Sequence, residues 1–219
     1  MPQQVWDWNY AFSILPALLE GLGLTLLATV LGSIVAMILG LLLAVLQRGP
    51  LPLAVAVRGF VEFVRSTPLL VQIFFLFFVL PQFGIVLSAL TVGVIALGVH
   101  YACYTSEVYR AGIEAVPRGQ WEAATALSLP RSRVWAGVVL PQAIPRVVPA
   151  LGNYVISMFK EVPLLTAIGL LDVVGRAQEA GDTYFRYVEP YTIAGLLFLL
   201  LSYPASLLVR RLERRVGTI

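Results

Sequence analysis

The chain has 219 residues, of which 59% are apolar and 12% charged, and 15 Lys and Arg stand against 12 Asp and Glu for a formal net charge of +3. That length suits one ordinary domain, but the composition excludes an ordinary soluble one and belongs in a bilayer. Nothing in the small positive excess points to nucleic acid. The one cysteine, Cys103, excludes an intrachain disulfide framework, offers no metal-ligand spacing and reads as a small packing residue.

In chain order, no Lys or Arg precedes Arg48. The N-terminal region therefore lacks the charged start of a cleaved signal peptide, and the first apolar run is expected to stay. Residues 21–46 carry no charge and are interrupted only by Thr25, Thr29 and Ser33, whose hydroxyls a helix absorbs by bonding back to its own carbonyls. Residues 51–80 are apolar but broken, with Arg58, Glu62 and Arg65 ahead of Pro68 and a clean run behind it. Residues 84–106 are uncharged if His100 is neutral. Residues 147–171 are interrupted by Lys160, Glu161 and Pro163, and residues 190–209 are clean again. Each clean run reaches the ~20 residues needed to cross the hydrocarbon. Charged or irregular backbone at membrane depth persists only where protein or a wet cavity surrounds it. The prediction is an all-α, polytopic membrane protein of five spans in one domain over residues 1–219, with the two broken spans facing a pathway.

Five spans put the termini on opposite sides. With the N-terminus outside, Arg48, Arg58, Arg65, Arg110, Arg118, Arg131, Arg133, Arg146, Arg210, Arg211, Arg214 and Arg215 fall on the cytoplasmic side. Only Arg176 and Arg186 fall outside, with Lys160 inside a span. By the positive-inside rule the C-terminus is cytoplasmic.

The one long polar connection on the inner side covers residues 110–146. After the Val116-Pro117 break, residues 120–127 are good helix formers, and Ser128 is expected to cap a second helix with Pro130 in its first turn. Trp121 and Ala124 share one face of the first helix, and Val134, Trp135 and Val138 one face of the second. Pro141, Pro145 and Pro149 are expected to stop a continuous helix from running on into the membrane. Two readings remain open: a helix pair in the headgroup layer with Trp121 and Trp135 as anchors, or a compact knob that transmits force from a soluble partner.

Glu122-Ala123-Ala124, three residues, Ser128, nine residues, Val138, one residue, then Leu140-Pro141 resembles the EAA signature of bacterial importer permeases. The spacing matches throughout, with Ser128 where that family usually has Gly; if the turn needs φ > 0, Ser carries a modest penalty there. Residues 63–72 (FVRSTPLLVQ), residues 107–120 (EVYRAGIEAVPRGQ) and residues 160–164 (KEVPL) are similar to further blocks of the polar amino acid uptake subfamily. Residues 100–124 and the ending YPASLLVRRLERR look most like permeases of ectoine and hydroxyectoine importers. The resemblance implies a MetI-like five-helix permease core working with a second permease, two cytoplasmic ABC ATPase subunits and an extracytoplasmic solute-binding protein in a bacterial inner membrane. It further implies that Glu122, Ala123, Ala124, Ser128, Leu140 and Pro141 form the coupling loop on the ATPase. Glu122 would contact that partner or cap the loop, and Ala123 and Ala124 would let the helix sit close. The chain has no G-x-x-x-x-G-K-[ST] loop, since its only lysine, Lys160, follows Phe159. No cofactor is expected on this chain; ATP and Mg belong to the partner ATPase.

Candidate pathway residues are Gln72 in the second-span block, His100, Tyr101 and Tyr104 in the third span, and Lys160 and Glu161 near the middle of the fourth. The aromatic cluster suits a cationic or zwitterionic solute, with a packed interior as the alternative. The Lys160-Glu161 pair reads either as a functional site or as a structural ion pair. A secondary carrier fits the charged pair but shows inverted repeats that this chain lacks. An intramembrane enzyme needs a catalytic set that one His and one Cys do not supply.

Overall fold

The computed structural model describes residues 6–216, so the ends of the predicted 1–219 domain, residues 1–5 and 217–219, lie outside the described residues. It is helical, with no strand among the described residues. Helix α1, Trp8–Leu46, starts well before the clean run at residue 21 because Asp7 caps it, accepting from the N–H groups of Asn9 and Tyr10. At ~1.5 Å per residue it is roughly twice as long as the hydrocarbon is thick and must project beyond it. Thr25 and Thr29 bond back to the carbonyls of Gly21 and Thr25 at 3.0 and 2.7 Å, as the sequence predicts. Ser33 does not; its hydroxyl meets Met158 Sδ at 3.5 Å across a helix interface.

The second predicted span is an elbow. Helix α2, Leu51–Arg65, and helix α3, Leu69–Phe74, which continues through a π-helical turn at Phe75–Val79 and a 3-10 turn at Leu80–Phe83, meet at 101°. Pro68 is the extended N-cap of α3, and by disfavouring helix at Thr67 before it the proline keeps α2 from running on. Gly84, at φ 81, ends the elbow, so helix α4, Ala89–Glu114, begins later than predicted, with Ser88 as its cap, and runs past residue 106.

Helices α5, Arg118–Ala126, and α6, Arg131–Val134, fill the inner connection, and helix α7 covers Leu140–Glu161. A 3-10 segment, Val162–Ile168, closes at Gly169 with φ 83, and helices α8, Val173–Tyr184, and α9, Val188–Val216, complete the chain. Among the described residues, four helices are long and apolar enough to cross a membrane, and the elbow makes five spans if it counts as one.

Two expectations for the inner connection are corrected. Ser128 does not cap a helix: it sits at φ 53, and Pro130 occupies the N-cap position of α6. The prolines do not break the chain either, because residues 131–161 run helically through a π-helical turn at Trp135–Val139, with Pro145 and Pro149 inside α7. Spaced four apart, Pro141, Pro145 and Pro149 place their missing donors on one face, and the wide π turn absorbs the first of them. The Gln142 side chain donates to the Val138 carbonyl at 2.8 Å.

The core lies where α1, α3, α4, α7 and the 3-10 segment meet, around Ala28, Ala36, Ile73, Leu97, Tyr101, Met158 and Leu165. Small residues let α4 press directly on α1. A Cβ at Gly40 would stand 2.0 Å from Thr105 Oγ1 and 2.9 Å from the Ala102 carbonyl, and one at Gly98 would stand 2.5 Å from Val35 Cγ1. Thr105 then donates to the Ala36 carbonyl at 2.9 Å, a contact between helices that only close approach permits.

Past the 3-10 segment, fully buried Asp172 caps α8, accepting from Gly175 N–H at 2.8 Å and the Thr166 hydroxyl at 2.7 Å. Burial pushes its carboxyl above the ordinary value against the pull of those bonds. Buried Glu189 pairs with Arg186 and accepts from the Asp7 N–H at 3.0 Å, tying the start of α1 to the start of α9.

Gly40→Ala is expected to lower unfolding stability in detergent by about 1–3 kcal/mol, the usual cost of overpacking a tight interface. Gly23→Ala, where an added Cβ meets nothing within 4 Å, is expected to be neutral or slightly stabilising. Equal thermal shifts for the two variants contradict the close α1–α4 seam.

Candidate translocation cluster and coupling loop

The polar-aromatic cluster is built by two facing helices. On α4, His100, Tyr101 and Tyr104 fall within one turn and a half, so they share a sector of the helix. On α7, Tyr154 and Glu161 stand seven residues apart, two turns along one face. The structure joins the two sets. The Tyr101 hydroxyl donates to Glu161 Oε2 at 2.9 Å. The rings of Tyr101, Tyr104 and Tyr154 lie 5.8 to 6.2 Å apart between centroids, and His100 stands 5.1 Å from Tyr104.

The elbow closes the cluster from a third side. Gln72 Oε1 meets His100 Nδ1 at 3.2 Å, while its amide nitrogen donates to the Val64 and Thr67 carbonyls at 2.8 and 3.1 Å. The Arg65 guanidinium lies over the Tyr104 ring, 5.1 Å from its centroid, and the Tyr104 hydroxyl points at the Arg65 carbonyl at 3.5 Å. A bend this sharp strips backbone carbonyls of their helical donors, and Gln72 supplies the replacement. Beside it, an apolar recess of about 310 Å³ opens between the elbow and α4, lined by Phe63, Val71, Phe75 and Val99 among others.

Of the six pathway candidates, Gln72, His100, Tyr101, Tyr104 and Glu161 come together, and Lys160 does not. Neighbouring helical positions point about 100° apart, so Glu161 turns to α4 while Lys160 is exposed on another side. No ion pair joins Lys160 to Glu161 among the described residues, which corrects the paired reading. Tyr154 was missed. Its seven-residue spacing from Glu161 was the available signal. As chemistry, the cluster offers a carboxylate beside electron-rich ring faces, a setting for an ammonium or guanidinium group.

The inner connection folds as a compact knob. Trp121 on α5 and Trp135 after α6 meet edge to face at 5.6 Å, over a small core of Val116, Val139 and Ala143. Arg48, at the end of α1, lies over the Trp135 ring at 5.9 Å. The Arg146 guanidinium donates to the Ala115 carbonyl at 2.5 Å, and Gln142 meets Gln120 at 3.3 Å, so α7 holds the knob from beneath. The tryptophans pack on each other instead of splaying as separate anchors. The pair of alanines divides: Ala123 is exposed and Ala124 is 3% exposed, packed inward. Glu122 is exposed and makes no capping bond within the loop among the described residues. Leu127, the C-cap of α5, is 73% exposed, and Ser128, Leu140 and Pro141 are also exposed. Ser128 takes the left-handed conformation at which glycine carries no penalty.

Residues 36–218 match the family described as binding-protein-dependent transport system inner membrane component. The chain is 49% identical over 203 residues to a probable amino-acid ABC transporter permease protein of Sinorhizobium fredii, covering 92% of this chain and 87% of that one. It is 36% identical over 212 residues to the arginine transport system permease protein of Bacillus subtilis, covering 96% and 97%. Among solved structures, it superposes with a TM-score of 0.91 on an amino acid ABC transporter crystallised with histidines, at 34% identity and covering 97% and 100% of the two chains. The inward-facing MetNI methionine ABC transporter shares the fold, with a TM-score of 0.65 at 19% identity over 94% and 99% of the chains. An all-helical, multi-pass chain with this fold, matched by the family over residues 36–218 and by amino-acid permeases over nearly its whole length, belongs to the binding-protein-dependent inner-membrane transport family as an amino-acid ABC transporter permease subunit.

Proposed function

We propose that this chain lines the pathway of an importer for amino acids or closely related zwitterions, and that the His100, Tyr101, Tyr104, Tyr154 and Glu161 cluster is where the solute's cationic group passes. The observation that carries the reading is the Tyr101–Glu161 bond inside a ring of aromatic faces, between two spanning helices and against the elbow. A carboxylate placed there is costly unless something cationic visits it. Lys160, on the neighbouring face of α7, supplies a positive charge for a solute carboxylate further along. The named substrates of relatives, arginine and glutamine among them, support an amino-acid cargo. The ectoine reading is the finer one. It rests on the likeness of residues 100–124, and on the fit of a carboxylate plus a delocalised cation to Glu161 and Lys160.

The partners follow from the family: a second permease, identical or homologous, two cytoplasmic ATPase subunits that hold ATP and Mg, and an extracytoplasmic solute-binding protein. The exposed Glu122–Ala123–Leu127 surface of α5 is the seat for the ATPase. Movement there reaches the cluster along the helical run from α6 into α7, which carries Tyr154 and Glu161. The twelve inner arginines support an outer N-terminus and a cytoplasmic C-terminus.

Uptake of labelled arginine, glutamine, histidine and ectoine by the complete complex identifies the cargo. Preferential ectoine uptake upholds the finer reading, preferential uptake of an amino acid removes it, and uptake of none overturns the importer reading. Glu161→Gln is expected to lower uptake about tenfold, the scale of a lost charged hydrogen bond.

Glu122→Lys is expected to cut transport by about tenfold or more, by placing a like or unpaired charge in the contact, while the protein still inserts. A cysteine at position 123 should crosslink to the ATPase and one at 124 should not. Normal coupled import by Glu122→Lys removes the coupling role. A topology reporter fused after Ile219 should be active only in the cytoplasm; periplasmic activity reverses the orientation.

A further inference from the structure

Gln72 and His100 form a unit whose hydrogen positions can be deduced. The Gln72 amide end faces three oxygens: the Val64 carbonyl at 2.8 Å, the Thr67 carbonyl at 3.1 Å and Thr67 Oγ1 at 2.9 Å. Two of these are carbonyls, which only accept, and the single hydrogen of the Thr67 hydroxyl is engaged by the Phe63 and Val64 carbonyls, which it shares. The atom facing them must be the nitrogen, so Oε1 is the atom 3.2 Å from His100 Nδ1. Oε1 also only accepts. The hydrogen between the two side chains therefore belongs to Nδ1, and in the neutral ring Nε2 carries a lone pair.

Nε2 has no hydrogen-bond partner among the described residues, although His100 is only 8% exposed. The two nitrogens of an imidazole diverge, so Nε2 is turned away from Gln72. The ring that bears it lies 5.1 Å from Tyr104 and 5.6 Å from Tyr101, whose hydroxyl holds Glu161. Nε2 is not one of the fully enclosed unpaired atoms, so a donor can reach it, and the ring that carries it neighbours two tyrosines, one of which holds the Glu161 carboxylate.

We propose that Gln72 is a positioning residue for transport: by holding the His100 proton on Nδ1, it presents Nε2 as an acceptor for an N–H of the solute's cationic group. The proposal rests on the reading of the cluster as the pathway. It assigns the elbow a second duty besides closing its own bend. The same amide that satisfies the carbonyls at the bend orders an acceptor on the neighbouring helix, so the shape of the elbow and the recognition of the solute are set by one side chain.

His100 is the only histidine in the chain, so ring-15N labelling of the full-length chain, purified through a tag without histidine and returned to bilayers, yields one pair of signals. The expected pattern is a protonated, pyrrole-type Nδ1 and an unprotonated, pyridine-type Nε2, lost in Gln72→Leu. A protonated Nε2 with bare Nδ1 in the unmutated protein overturns the proposal. His100→Asn keeps a donor near the Nδ1 position and has no atom at Nε2. In the complete transporter, with arginine as probe, it should raise KM about tenfold, the scale of a hydrogen bond to a charged group. Gln72→Leu should raise KM to a similar degree, and the double variant no further, because one residue acts through the other. An unchanged KM in His100→Asn, or effects that multiply in the double variant, sinks the proposal. Normal uptake by Glu161→Gln alongside impaired His100→Asn would remove the wider cluster reading and leave the role of His100 standing.

Discussion

The seam between α1 and α4 is the constraint on which the rest of the molecule depends. Inside a bilayer, apolar side chains gain little by meeting one another, because lipid is as apolar as they are. Helices must instead gain from close packing and from polar contacts that close packing allows. Gly40 and Gly98 remove the side chains that would hold the two helices apart, and Thr105 uses the proximity to reach the Ala36 carbonyl. With α4 fixed on α1, its other face can present His100, Tyr101 and Tyr104 to α7 and the elbow.

The elbow illustrates a second rule of the same solvent. A bent helix exposes carbonyls that water would satisfy on a soluble surface, whereas hydrocarbon cannot. Gln72 resolves this with one amide, donating to carbonyls at the end of α2 and in the link that follows it while its oxygen engages His100. Irregular backbone at membrane depth thus coincides with the polar cluster for a physical reason: the groups that repair the bend are polar, and polar groups gather where they can satisfy one another. The same logic acts at the far end of α7, where Glu161 ends the regular helix and accepts from Tyr101.

The knob and the cluster share one continuous helical element. Trp121 against Trp135, Arg48 over Trp135, and Arg146 on the Ala115 carbonyl leave little room for α5 to move independently of the helices beneath it. The π turn at Trp135–Val139 keeps α6 and α7 in helical continuity despite three prolines. One helical run therefore joins the knob to Tyr154 and Glu161, the α7 residues of the cluster.

The sequence by itself determined the all-helical membrane class and the break at Pro68, and its count of five spans holds if the elbow is one span, because apolar runs and their interruptions are local and countable. It also located the EAA-like loop and, among six candidate residues, the five that the structure brings together. Motif spacing and intramembrane polarity need no tertiary information. What it could not decide was orientation about each helix axis and the course of irregular backbone. Which way Lys160 and Glu161 turn depends on where α4 lies. Whether Ala124 faces inward depends on how α5 sits on the knob. Whether Pro141, Pro145 and Pro149 break a helix depends on a π turn that no single residue encodes, and Ser128 takes its left-handed backbone from the turn that joins two packed helices. Each of these is a relation between elements distant in the chain, so only the tertiary structure decided them.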